Sequence, residues 1–204
     1  RRMVYMPGAS TVLAVAPDQV DALHLMGVAH CQAREYEQSL PFFDRALKLK
    51  PDFADAHNNL GKALKSLNRI PEAEAAFRRA TELAPKMAEA WTNLGRLRRR
   101  LGDTDGSVDC YRQALSAGSG DAEAHHFLGV TLKDAGRLDE AIAEYRKALD
   151  LNPDYAEALN NLAAALRDKG DLKGAIETYE RAVAVKPDFA AALTNLGNAY
   201  QEAG

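Results

Sequence analysis

The sequence predicts an all-α fold, a solenoid of antiparallel helix pairs with a 34-residue repeat. Proline recurs as Pro17, Pro51, Pro85, Pro153 and Pro187, missing only the beat at Ser119. Small residues keep the same period ten positions later, as Gly27, Gly61, Gly95, Gly129, Ala163 and Gly197. Each period also carries two segments whose apolar residues recur at helical spacing. A fixed period of this length marks a stacked-repeat chain, in which each unit buries its apolar face only against its neighbours.

Residues 1–19 read as a degenerate leading segment. The start, Arg1-Arg2-Met3-Val4-Tyr5-Met6, is basic and then briefly apolar, too short for a secretory leader. Val12, Leu13 and Val15 look like the remnant of a second helix, which Pro7-Gly8 should break. Residues 20–204 form the array, with repeats at 20–53, 54–87, 88–121, 122–155 and 156–189 and a half-repeat at 190–204. In the first repeat, Pro41 lies inside the second segment, so that helix is expected to start late or bend near Ser39.

The second repeat shows the pattern most fully. Ala56, Leu60, Gly61, Ala63 and Leu64 share one stripe, and Ala73, Ala76, Phe77 and Ala80 share the next. Asn68-Arg69 turns the chain between them, and Pro71 sits at a helix start, where no backbone donor is lost. Later repeats turn at Gly102-Asp103, Gly136-Arg137 and Gly170-Asp171, which suits the positive φ needed just past a helix end. The Pro-Asp pairs at 51, 153 and 187 are expected to stop one helix and cap the next. Between the third and fourth repeats, Ser116-Ala117-Gly118-Ser119-Gly120 replaces the proline stop, as a flexible joint or a simple loop variant.

Columns of small residues (Ala80, Ala114, Ala148, Ala182; Gly61, Gly95, Gly129) let helices approach closely. Leu60, Leu94, Leu128, Leu162 and Leu196 fill the remaining space against Phe43, Phe77, Tyr111, Tyr145 and Tyr179. This combination of Leu-Gly in the first helix, an Ala-framed aromatic in the second and a closing proline resembles the tetratricopeptide repeat. The resemblance covers residues 20–204, although the first-helix tryptophan survives only as Trp91, with His57, His125 and Leu159 elsewhere. It implies a right-handed superhelical solenoid whose first helices line a concave groove for protein partners.

Two columns on the first helices exceed what packing demands. One reads Leu25, Asn59, Asn93, Phe127, Asn161, Asn195. Asparagine is a mediocre helix former, but its amide both donates and accepts, as a peptide backbone requires. Helices about 10 Å apart would space these amides about three residues along an extended peptide. The alternative is that the amides bond neighbouring helices and set the pitch. Phe127 either offers an apolar pocket or substitutes in the packing.

The other column is basic: Lys65, Arg99, Lys133 and Arg167, flanked by Lys62 and Arg96. It either attracts acidic side chains of a peptide or pairs with Asp55, Glu89, Glu123 and Glu157 nearer the helix starts. Arg98 falls on a leucine column, where its stem is expected to cover the core while its head reaches water. The carboxylate clamp found in some members of the family does not fit, because Glu89 and Asn93 stand where its closing Lys and Arg belong.

A net charge of −3 and aromatics consumed by packing argue against nucleic acid, and no stretch is apolar enough to span a bilayer. Cys31 and Cys110 lie more than two periods apart, as expected of free thiols in a reducing, cytoplasmic setting. The five histidines offer no spacing that suggests a metal, and neither a phosphate loop nor a nucleophile motif occurs. The reading is therefore a non-catalytic scaffold without cofactor that binds an extended peptide or partner helix. One alternative rests on Asn58-Asn59-Leu60-Gly61 and Asn195-Leu196-Gly197-Asn198, which look like the repeat region of O-linked N-acetylglucosamine transferases. By that resemblance the chain would be the substrate-recruiting arm of a larger enzyme. Another is a structural array that self-associates through Leu196 and Tyr200, which have no second helix after them in this sequence.

Overall fold

The protein is described by a computed structural model covering residues 18–118 and 121–204. The leading-segment helix expected at Val12–Val15 and the Ser119-Gly120 part of the joint lie outside those residues. Eleven α-helices follow one another among the described residues: α1 (Val20–Gln32), α2 (Tyr36–Leu49), α3 (Ala54–Ser66), α4 (Ile70–Leu83), α5 (Ala88–Arg100), α6 (Thr104–Ser116), α7 (Ala122–Asp134), α8 (Leu138–Leu151), α9 (Ala156–Asp168), α10 (Leu172–Val185) and α11 (Ala190–Ala203). The chain divides into two compact units after Leu97, within α5. In the first unit, α1 packs on α2, α2 on α3, α3 on α4, and α1 also touches α3. In the second, α6 through α11 pack consecutively, and the first helices α7, α9 and α11 meet side by side. The all-α helix-pair architecture expected from the period is found in both.

Glycine and an aromatic ring make the contact that closes the pairs α1–α2, α3–α4 and α7–α8. A Cβ placed on Gly27, Gly61 or Gly129 would lie 2.6–2.7 Å from the ring of Phe43, Phe77 or Tyr145. These rings are 0–1% exposed, and the alanines that frame them, such as Ala46, Ala80 and Ala148, are fully buried. The first helix therefore lies against the edge of the ring, and a methyl group would hold it off. Tyr179 occupies the same column against Ala163, and its buried hydroxyl has no hydrogen-bond partner. A stranded hydroxyl costs about 1–3 kcal/mol. Tyr179→Phe, the residue used at 43 and 77, is expected to raise the thermal midpoint, as a melt followed by circular dichroism would report.

Turns follow the sequence in part. Gly102, Gly136 and Gly170 take φ of 81°, 73° and 90°, and Asn68 takes 60° in the equivalent place. The aspartates differ from expectation. Phe53, Tyr155 and Phe189 are the residues preceding α3, α9 and α11, and none makes a side-chain cap. Asp52, Asp154 and Asp188 stand one position too early to cap. They belong instead to β-turns with proline at the second position, closed by Phe53 N–H to Lys50 O at 3.3 Å and Phe189 N–H to Lys186 O at 3.1 Å. The true aspartate caps are Asp103, Asp121 and Asp171, which accept from Gly106 N–H at 3.0 Å, Glu123 N–H at 2.9 Å and Gly174 N–H at 2.9 Å.

Pro41 neither delays nor displaces its helix. α2 begins at Tyr36, the register of Ile70, Leu138 and Leu172 in the other repeats. The proline forfeits only the bond to the Glu37 carbonyl in the first turn, and both residues are exposed, so water replaces it.

Candidate functional site

The first helices supply the candidate face, because their glycine stripes are turned toward the second helices and leave other positions outward. In the first unit, Leu25, Asn59 and Asn93 stand in equivalent places on α1, α3 and α5. In the second, Phe127, Asn161 and Asn195 do so on α7, α9 and α11. Leu25 is exposed; Asn59, Phe127, Asn161 and Asn195 are half-buried; Asn93 is buried.

Every ladder asparagine bonds to the repeat before it. Asn59 Nδ2 lies 2.9 Å from His24 Nε2, and Asn161 Nδ2 lies 2.9 Å from His126 Nε2. Asn93 Nδ2 donates to Asn58 Oδ1 at 3.0 Å, and Asn195 Nδ2 donates to Asn160 Oδ1 at 3.0 Å. The column is thus a set of rungs between adjacent first helices, a role the sequence left open beside peptide contact. Their acceptors were not among the sequence-predicted residues. They sit one position earlier on the preceding helix, and the 35-residue separation was the available signal.

An amide nitrogen facing His24 Nε2 makes that ring nitrogen the acceptor and puts the proton on Nδ1. At His126 the Nδ1 lies 3.0 Å from the Tyr155 hydroxyl, so the ring bridges two partners. Burial holds the His24 pKa below the usual 6.5, outweighing the opposite pull of Asp55 and Asp21. The unfolded chain therefore binds more protons than the folded one as the pH drops below 6.5. His24 adds stability above that pH, and the contribution falls away as acid protonates it. Denaturation of His24→Gln should show a weaker loss between pH 7 and pH 5 (about the titration range of a histidine) than the parent chain.

The basic column is mostly engaged. Lys62 Nζ donates to Glu89 at 2.8 Å, Arg99 Nε to Asp134 at 2.8 Å, and Lys133 pairs with Asp168 at 3.0 Å. Each joins neighbouring repeats. Lys65 and Arg96 also have partners, while the half-buried Arg167 is in none of these pairs. Of the acidic column, Glu89 thus pairs with the basic stripe, whereas Glu157 pairs with Lys186 at 3.2 Å. Arg98 keeps its stem and its Nε buried, the Nε 3.7 Å from Asp103, while its side chain as a whole remains 24% exposed.

Cys110 is 1% exposed, and burial pushes its thiol up to about 11. Cys31 is raised too but remains half-buried. Because the thiolate is the nucleophile, iodoacetamide at neutral pH should modify Cys31 first and leave Cys110 intact until the chain unfolds. Peptide mass mapping would check the order.

Open hollows lie elsewhere, each lined by second-helix residues together with a first helix. One of about 350 Å³ is lined by Leu40, Asp44, Leu64, Ala76 and Arg79, and another of about 440 Å³ by Ile142, Arg146, Leu166 and Lys169. Among the described residues no three His, Cys, Asp or Glu side chains gather as metal ligands, and no helix is long and apolar enough to cross a membrane.

No curated protein matches the chain in sequence. Solved structures match it closely in fold. YrrB, a TPR protein with an unusual peptide-binding site, superposes with a TM-score of 0.76 at 22% identity, over 92% of this chain and 96% of its own. MamA of Desulfovibrio magneticus RS-1 superposes with a TM-score of 0.76 at 18% identity, over 85% of this chain and 98% of its own. The Cut9–Hcn1 hetero-tetramer of the APC/C gives 0.76 at 16% identity over 95% of this chain, but only 39% of that one. At such identities the likeness concerns the fold. Family models go further: the tetratricopeptide repeat matches residues 24–88 and 58–122, and the TPR repeat matches 131–166 and 163–204. With matches spanning most of its length, the chain belongs to the tetratricopeptide repeat family.

Proposed function

We propose that this chain is a non-catalytic scaffold that captures an extended peptide or a partner helix on the first-helix face. The observation that carries the reading is the fixed, half-buried amides on the first helices of each unit, Asn59 in the first and Asn161 and Asn195 in the second. An amide has two N–H donors and an oxygen with two acceptor sites, and a rung uses one donor. The rung also holds the amide plane still, so less ordering entropy is lost when a ligand binds. Asn93, more deeply set, acts mainly as a strut. YrrB, similar in fold, is itself a TPR protein with a peptide-binding site, which favours the same use of the architecture here.

The basic column attracts acidic side chains only in exchange for existing pairs. A ligand carboxylate at Lys62, Arg99 or Lys133 competes with Glu89, Asp134 or Asp168. Exposed pairs contribute about 0–1 kcal/mol and weaken in salt, so such contacts tune affinity and leave the main grip to Asn59, Asn161 and Asn195. Lys65, Arg96 and Arg167 complete the column, and Phe127 supplies an apolar neighbour.

The test takes dodecapeptides selected from a random display library on the whole chain and measures their affinity by calorimetry. Asn59→Ala with Asn161→Ala should weaken binding at least about tenfold, the loss of about 1.4 kcal/mol, while the helical circular dichroism persists. Unchanged affinity in the folded variant rejects the amide grip.

A second reading, association through α11, is favoured by Leu193 at 44% and Tyr200 at 49% exposure. Leu196 is half-buried against the second unit's core, and the Tyr200 hydroxyl donates to Glu180. Light scattering of the parent and of Leu196→Glu with Tyr200→Glu distinguishes the two readings, since a monomer in both removes self-association.

A further inference from the structure

Packing in both units follows the 34-residue period, but the outward face of the first helices follows a longer one. At the rung-acceptor position the chain reads His24, Asn58, Thr92 and then starts again with His126, Asn160, Thr194. On the ladder it reads Leu25, Asn59, Asn93 and then Phe127, Asn161, Asn195. Each residue recurs in kind 102 positions later, as 24 to 126 and 59 to 161 show, which is three periods. Helix packing does not require this order, because the glycine, alanine and aromatic columns are already satisfied every 34 residues.

The geometry repeats with the order. The His24 ring lies 4.8 Å from Phe53 at 58° and 6.1 Å from Phe43 at 50°. The His126 ring lies 4.8 Å from Tyr155 at 56° and 6.1 Å from Tyr145 at 43°. The rungs measure 2.9 and then 3.0 Å in the first unit, and the same in the second. An apolar pair precedes them each time: Leu25 with Val28 on α1, and Phe127 with Val130 on α7. Residues three apart share a helix face. Elsewhere the valine position holds Lys62, Arg96, Ala164 or Asn198, and the ladder position holds asparagine.

We infer that the chain carries two copies of one recognition surface, one in each unit, and that each copy takes an extended peptide segment with an apolar side chain near one end. The inference rests on the peptide-binding reading given above. In each copy the order is an apolar patch, then two amide rungs on the next two first helices. Neighbouring helices stand about 8–10 Å apart, or about three residues of extended chain at about 3.3 Å each. An apolar side chain seated at Leu25 or Phe127 therefore brings backbone to the rungs about three and about six residues further on. The amides are uncharged and serve donors and acceptors alike, which matches a peptide backbone better than an anionic polymer. The natural ligand is thus a protein bearing two such segments, or two molecules of one partner.

The experiment uses the whole chain and a dodecapeptide selected on it from a random display library. Leu25→Asn and Phe127→Asn install the residue that the other repeats carry in this column. Because Phe127 also packs on the second unit's core, 6.1 Å from the Tyr111 ring, circular dichroism melts check that each variant is folded before binding is read. Calorimetry should give two peptides per chain for the parent, one for either variant and none for the double variant. One peptide per chain in the parent overturns the duplication, as does a stoichiometry of two that neither variant changes. If no peptide is enriched at all, the peptide-binding reading fails first and the duplication falls with it.

Discussion

Replacing Phe77 by alanine is expected to destabilise the first unit by about 3–5 kcal/mol, the range for removing a buried aromatic side chain. The ring is fully buried, and its edge lies where the Cβ of residue 61 would be. That juxtaposition makes the neighbouring glycine the more informative partner. Gly61→Ala alone forces a methyl to within 2.6 Å of Phe77 Cε1, and overpacking of this kind costs about 1–3 kcal/mol. With Phe77 already alanine, the obstacle is gone. The same Gly61→Ala change should then be neutral or stabilising, because alanine exceeds glycine in helix propensity by about 0.8–1.0 kcal/mol. The change of sign between backgrounds is the decisive result, and a double-mutant cycle by urea denaturation measures it. Gly197→Ala serves as control. Nothing lies within 4 Å of its added Cβ, so it should stabilise α11 outright.

Asn93→Ala is expected to cost about 1–3 kcal/mol, although asparagine is a poor helix former. Gaining alanine in the middle of α5 favours the helix by several tenths of a kcal/mol. Losing the rung strands the Asn58 carbonyl, which is 3% exposed and has its 3.0 Å donor on Asn93. The stranded acceptor outweighs the propensity gain. Removing both amides, as Asn58→Ala with Asn93→Ala, leaves no orphan and should recover much of the loss. Chemical denaturation of the four species would test this, and additive losses would show that the rung contributes nothing. Asn59→Ala should be milder, since the half-buried His24 can turn to water.

These expectations locate where the sequence was readable. The period, helix pairing and buried aromatic column were legible because one residue type recurring every 34 positions leaves no other way to bury Phe77 or Tyr145. The rung acceptors were not, because Asn58 and His24 differ in type and are joined to the ladder only across a repeat boundary. The aspartate caps misled for a local reason. Pro-Asp resembles a helix start, but the proline turn consumes an additional residue, so Phe53 rather than Asp52 precedes α3. Pro41 misled because its consequence depends on which carbonyl it deprives, and that one faces water. The pairing of Lys62, Arg99 and Lys133 with residues 27 to 35 positions later was open in the sequence and is settled by geometry.

The short reach of these links bears on how the protein comes into being. Rungs and ion pairs between neighbouring repeats span 27 to 35 residues, so each repeat finds its support in the segment made just before it. A ribosome adding about 5–20 residues per second delivers one further repeat in about 2–7 seconds. Helix pairing takes far less than that. Each new pair therefore has a finished template to dock on as it emerges, and the apolar faces of Leu60 or Leu94 wait exposed for seconds only.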